Sequence, residues 1–187
     1  MKRLSLSIVA LLFTVITFAQ KWNVDKAHSK LGFTVTHLLI SEVDGSFKKF
    51  DASITATKED FSDGVFELSA DVNSISTDNE MRDGHLKKPE YFDVEKTPTI
   101  TFKSTSISKT ADKKYKLMGN LTMKGVTKPV TLDLTLTGIG KNMRTQKPIA
   151  GFKVTGTIKR TDFGVGTAPS VVSDEIEIRA VGEFGKE

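Results

Sequence analysis

From residue 31 onward the chain alternates apolar and polar side chains almost without interruption, and a period of two places one set on each face of an extended strand. Leu31, Phe33 and Val35 open the pattern. Phe50, Ala52, Ile54 and Ala56 continue it, then Phe66, Leu68, Ala70 and Val72, then Ile100 and Phe102. Four more runs follow: Tyr115 to Met123, Val130 to Leu136, Phe152 to Ile158, and Ile176 to Ala180. Each run has one wet face and one dry face, as strands of antiparallel sheets do. Turn residues separate them at Asp63-Gly64, Ala111-Asp112, Lys124-Gly125, Gly138-Ile139-Gly140 and Ala168-Pro169. Eight such strands can bury their dry faces as two packed sheets or as one sheet closed into a barrel, and closure also removes the exposed edges.

One stretch departs from this rhythm. Thr77-Asp78-Asn79-Glu80 has capping-box spacing with Thr77 at the cap, Met81 and His85 follow four apart, and Pro89 ends the run. This predicts a short helix over 78–87. The expected fold is all-β, eight antiparallel strands in a sandwich or a closed barrel, with one short helical insertion.

The first residues read as an address rather than as structure. Lys2 and Arg3 precede an apolar run from Leu4 to Phe18, shorter than the roughly 20 residues that span a bilayer, and Thr17-Phe18-Ala19 suits a peptidase. Residues 1–19 are therefore expected to be a signal peptide, and 20–187 a single periplasmic or secreted domain. Removing Lys2 and Arg3 leaves 25 basic against 23 acidic residues, a balance of +2. Lysines are scattered along the chain with no basic-aromatic patch, so nucleic acid is not an expected partner. Cysteine is absent, which excludes disulfides, thiolate metal sites and cysteine nucleophiles.

Candidate chemistry is sparse. Small residues on the dry faces (Ala52, Ala56, Ala70, Gly119, Gly138, Ala150, Gly156, Ala180 and Gly182) mix with Phe33, Phe66, Phe102 and Phe152. An eight-stranded barrel either fills its interior or holds one small ligand, and periodicity leaves both open. His37 shares the inward parity of Leu31, His28 precedes that strand, and His85 ends the helix. No histidine pair has ligand spacing, so no metal is expected. No G-x-S-x-G is present, and paired carboxylates for acid–base work are not identifiable.

A longer series of residues carries a resemblance. Ala27-His28-Ser29, Phe33, Val35 and His37 come first, then Ser41, Val43, Gly45 and Phe47. Asn79, Arg82-Asp83, His85-Leu86, Phe92-Asp93, Pro98 and Ile100-Thr101-Phe102 follow, then Gly119 through Val130, then Arg160, Asp162-Phe163-Gly164 and Asp174. In this order they resemble the YceI-like polyisoprenoid-binding family over nearly the whole chain from residue 20. The resemblance implies a lipocalin-like barrel with an apolar tunnel that binds a polyisoprenoid, an isoprenoid quinone or a fatty amide or acid. It tilts the choice toward a cavity, with no catalytic residue and no cofactor beyond the bound lipid.

The expected tunnel residues are Leu31, Phe33, Val35, Phe50, Ile54, Phe66, Leu68, Phe102, Leu121, Leu132, Leu134, Phe152, Val154 and Ile176. His28, His37, Arg82 and His85 are expected at the head group. A transient membrane contact and a homodimer stay open. The competing readings are a histidine-dependent enzyme, perhaps metal-bearing, acting on a lipid, and a filled structural or stress barrel.

Overall fold

The computed structural model describes residues 19–167 and 171–187. The strands are β1 (Gln20–His37), β2 (Ser41–Phe47), β3 (Phe50–Ala56), β4 (Val65–Asp71), β5 (Ile75–Ser76), β6 (Thr99–Ala111), β7 (Lys114–Met123), β8 (Val126–Lys141), β9 (Pro148–Lys159) and β10 (Val172–Lys186). A single helix among the described residues, α1 (Glu80–Leu86), lies between β5 and β6. All pairings are antiparallel, in the order β10-β9-β8-β7-β6-β4-β3-β1-β2-β5, and β10 also pairs with β1. That last ladder closes eight strands into a barrel, with β2 and β5 as additions to its wall.

β1 makes the closure work by dividing its pairing. Gln20–Asn23 pair with β3, whereas Leu31–His37 pair with β2. Its other edge follows β10 throughout, with an irregularity between Asp25 and Lys30. There the Asp25 carboxylate accepts the Ala27 N–H and the Ser29 hydroxyl accepts the Glu183 N–H, so the bulge keeps its backbone polar groups satisfied. Where β1 leaves β3 for β2, the wall opens. β5, α1 and the loop of residues 87–98 fill that gap.

The base of the barrel is packed with rings. Phe61 meets Trp22 and Phe152 edge-on at centroid distances of 5.1 and 5.0 Å, and Phe152 meets Phe66 and Phe184 at 5.5 and 5.7 Å. Such edge-to-face pairs put the positive rim of one ring on the negative face of the next. Phe61 comes from the β3–β4 loop rather than from a strand. The Asp63 carboxylate holds that loop by accepting the N–H groups of Thr57 and Lys58 and the Thr57 hydroxyl, and Tyr115 Oη donates to the Asp60 carbonyl at 2.7 Å.

The structure corrects the sequence reading at several points. The cap of α1 is Asn79, whose Oδ1 accepts the Arg82 N–H, so the helix starts at Glu80 and not at 78. Thr77 is instead bound sideways, its N–H and hydroxyl both donating to Asp83 Oδ1. Gly138-Ile139-Gly140 continues β8, and the turn falls at residues 142–147. Of the dry-face glycines, Gly119, Gly156 and Gly182 have their space taken by neighbouring side chains, and Gly138 faces open space. A Cβ on Gly119 would lie 2.4 Å from the Phe102 ring, which occupies that space already. The segment 1–18 and the Ala168-Pro169 turn lie outside the described residues.

Phe61→Ala should therefore cost about 3–5 kcal/mol, because the rings above it cannot collapse into the space it leaves. Urea unfolding of the two proteins would measure this.

Candidate functional site

Above the ring base the barrel encloses a cavity of about 470 Å³. Its walls are the inward side chains of almost every barrel strand. Leu31, Phe33, Val35, Phe50, Phe66, Leu68, Phe102, Leu121, Leu132, Phe152, Val154 and Ile176 all line it. Ile54 and Leu134, expected with them, do not. Both have the right parity but sit at the base, where the cross-section is filled: Ile54 pairs with Trp22 and Phe66, and Leu134 with Tyr115. Phe47, from β2, also faces the cavity, as do Ile100, Leu117, Met123, Ile158 and Ile178, which belong to runs already visible in the sequence. Leu86, Tyr91 and Phe92 come from α1 and its following loop, where no alternation marks an inward side.

The histidines and arginines of the lining gather at the opposite end from the rings, while Ser29, Lys30, Ser53 and Glu67 border the cavity elsewhere. Thr77, Arg82, His85 and Tyr91 enter from the gap-filling segment, His37 from the end of β1, and Arg160 from the turn after β9. Arg82 donates Nε to Thr77 Oγ1 and Nη2 to the Thr77 carbonyl, each at 2.7 Å. His85 and Tyr91 stack edge-on at 5.0 Å. Arg160 is buried and donates to four carbonyls: Ser173 at 3.0 Å, Val165 at 2.9 Å, Thr167 at 3.2 Å and Val172 at 3.3 Å. Gly166 permits this, since a Cβ there would lie 2.6 Å from Arg160 Nη1. Neither arginine has a carboxylate within salt-bridge distance among the described residues. Two guanidinium groups thus stand at this end without a direct ion pair, and the Thr77 hydroxyl relays Arg82 to the Asp83 carboxylate. Asp174 shares the field: hydrogen bonds from Thr161 first, then the Arg160 charge, hold its carboxyl below the usual range.

Lys124 ties this end together. Its Nζ donates to the Pro89 carbonyl at 2.8 Å and the Gly164 carbonyl at 2.7 Å, and the Gly166 N–H reaches the Glu90 carbonyl.

His28 is elsewhere. It sits in the β1 bulge and points outward, with Nδ1 2.9 Å from the Asp25 carboxylate. Residue 28 already has the outward parity of Gly32 and Thr34, and the bulge between Asp25 and Lys30 interrupts the ladder there. Asp25, His28 and Glu183 bring ligand atoms within 4.8 Å of one another on that outer surface, away from the polar end of the cavity.

With this geometry in place, likeness to known proteins can be read. A family model described as the YceI-like domain matches residues 22–184. The chain belongs to the YceI-like family. Protein YceI of Salmonella newport is 37% identical over 178 residues, covering 94% of this chain and 92% of the relative. Among solved structures, Burkholderia cenocepacia BcnA superposes with a TM-score of 0.75 at 29% identity, covering 86% of this chain and 98% of its own. A polyisoprenoid-binding domain from Saccharophagus degradans shares the fold, with a TM-score of 0.63 at 15% identity over 89% of this chain and 98% of its own.

Two outcomes are expected. Arg160→Lys should cost about 2–3 kcal/mol, because an ammonium cannot reach the four carbonyls that the guanidinium satisfies. Thermal melting would report it. The hydrogen bond to Asp25, then its charge, raises the His28 pKa, and the same bond lowers that of Asp25. The His28 contribution is complete below the ordinary value of ~6.5 and is lost as pH rises through the raised one. The Asp25 contribution is present above its ordinary value of ~3.9 and fades as pH falls through the lowered one. The stability difference between wild type and His28→Asn should thus be largest from about pH 4 to 6.5 and vanish in alkali. A difference independent of pH would contradict this.

Proposed function

We propose that the protein is an exported, non-catalytic carrier or scavenger that holds one long-chain amphiphile, its tail toward the ring base and its head group toward Arg82 and His85. One observation carries the reading: a cavity of about 470 Å³ walled mostly by apolar side chains, with two arginines and two histidines of its lining at the end away from the rings. Its volume falls in the ~300–1,000 Å³ range of small-molecule sites. Ten methylenes moved out of water gain about 8 kcal/mol before the costs of association, so affinity needs no polar chemistry. The Saccharophagus domain's description as polyisoprenoid-binding supports an isoprenoid among the candidate ligands. The polar groups at this end favour binding over catalysis. Both arginines are engaged by the backbone or by Thr77, which suits a fixed field rather than proton transfer. Export rests on the basic start and apolar run of residues 1–19.

The test uses two neighbouring positions on β9. Val154 lines the cavity, whereas Thr155 does not. Val154→Asp should abolish copurifying lipid, since an unpaired carboxylate against hydrocarbon costs several kcal/mol. Thr155→Asp should retain lipid and shift stability by about 0.5 kcal/mol or less. Mass spectrometry of each folded variant, with melting followed after lipid is stripped, separates lost binding from lost folding. Equal lipid content in the two would reject the assigned face. For export, the N-terminal peptide from the native host should begin at or near Gln20, and an intact Met1 would rule cleavage out.

A further inference from the structure

The turn between β1 and β2 presents three apolar side chains to solvent in succession: Leu38, Leu39 and Ile40 are 54%, 87% and 84% exposed. The backbone holds them there at some conformational expense. Leu38 and Leu39 both occupy the left-handed region, with φ of 51° and 61°, where asparagine or glycine is the ordinary occupant of a hairpin turn. The Ile40 N–H closes the turn on the His37 carbonyl at 3.1 Å, and the Leu38 N–H bonds the Val171 carbonyl at 2.7 Å. Val171 is itself 60% exposed, and both Val171 and His37 line the cavity. A residue that faces the cavity and solvent together marks a mouth, and the leucine turn stands directly beside it.

The surrounding sequence is equally unusual. Residues 31–41 and 163–173 contain no Lys, Arg, Asp or Glu. These are the longest charge-free stretches between residue 20 and the C-terminus, in a chain with 27% charged residues. The Leu38–Val171 hydrogen bond joins the two stretches at the mouth.

We propose that the Leu38-Leu39-Ile40 turn with Val171 is a lip that inserts into the surface of a lipid bilayer and opens the cavity to it. This rests on the carrier reading for its purpose, and its geometry points to a membrane rather than to a second copy of the chain. Four aliphatic side chains on a convex tip fall well short of the roughly 800 Å² that each partner contributes to a standard protein interface. An apolar tip set within two charge-free stretches of chain suits a medium that can close around it, and a cavity holding a lipid tail needs a water-free route from the membrane.

Flotation with phosphatidylcholine vesicles tests the lip, using each protein as recovered from its exporting host. Two variants are informative. Leu39→Asp/Ile40→Asp charges the tip, and Leu38→Asn/Leu39→Gly installs the residues that the turn conformation prefers. Both should weaken vesicle binding on the order of tenfold or more. The second should melt at a higher temperature than wild type, which a merely structural role for the leucines does not allow. A dansyl-labelled fatty acid delivered from water should load all three proteins alike, and delivery from vesicles should slow in both variants. Flotation by both variants as strong as wild type overturns the lip. So does a wild-type dimer, seen by sedimentation equilibrium, that both variants abolish, because the surface then belongs to a second copy. Failure of every form to take up the probe from either source overturns the carrier reading, and flotation still decides the lip.

Discussion

The ladder between β1 and β10 turns an open meander into a closed wall, and the cavity depends on that closure. Closure requires β1 to satisfy different neighbours along its length. Its lower part pairs with β3, its upper part with β2, and β10 follows the other edge across a bulge at residues 25–30. The bend sends the upper half of β1 away from β3, leaving a breach in the wall that a short strand, one helix and a loop then close. Those insertions carry Thr77, Arg82, His85 and Tyr91, so the site's polar end is a consequence of how the barrel is closed.

The two ends of the interior are stabilised by opposite physics. At the base, rings meet edge-on and leave no room, and a loop residue, Phe61, completes the packing. At the other end a guanidinium is buried without a carboxylate. Four carbonyls solvate Arg160 in place of water, which spreads the cost of desolvation over neutral acceptors and leaves the guanidinium without a direct ion pair. A carboxylate partner would have neutralised that end of the cavity. Lys124, bonded only to carbonyls, does the same for the segments that cover it.

Much of the wall was legible from residue types alone. All eight barrel strands stand where the alternation placed them, and twelve of the fourteen expected tunnel residues line the cavity. The exceptions are instructive. His28 stands away from the cavity's histidines and arginines because its position has the outward parity and lies in the β1 bulge. Ile54 and Leu134 fail because they face inward at a height where the barrel is already full. β2 and β5 escaped notice since Gly45 interrupts the short Val43–Phe47 face of Ser41–Phe47, and β5 is only two residues long. Phe61 looked like a loop residue, which it is, and nothing local announces that the loop folds inward.

The sequence by itself determined the eight long strands of the wall, the face of the side chains within each alternating run and the place of the one α-helix, because a period of two is a local property of an extended backbone. Only the tertiary structure decided which strand closes on which, where the breach falls, and which dry-face residues border a void. Parity specifies the direction of a side chain. The distance to whatever lies across the barrel is set by closure, by bulges and by loops that return from far along the chain.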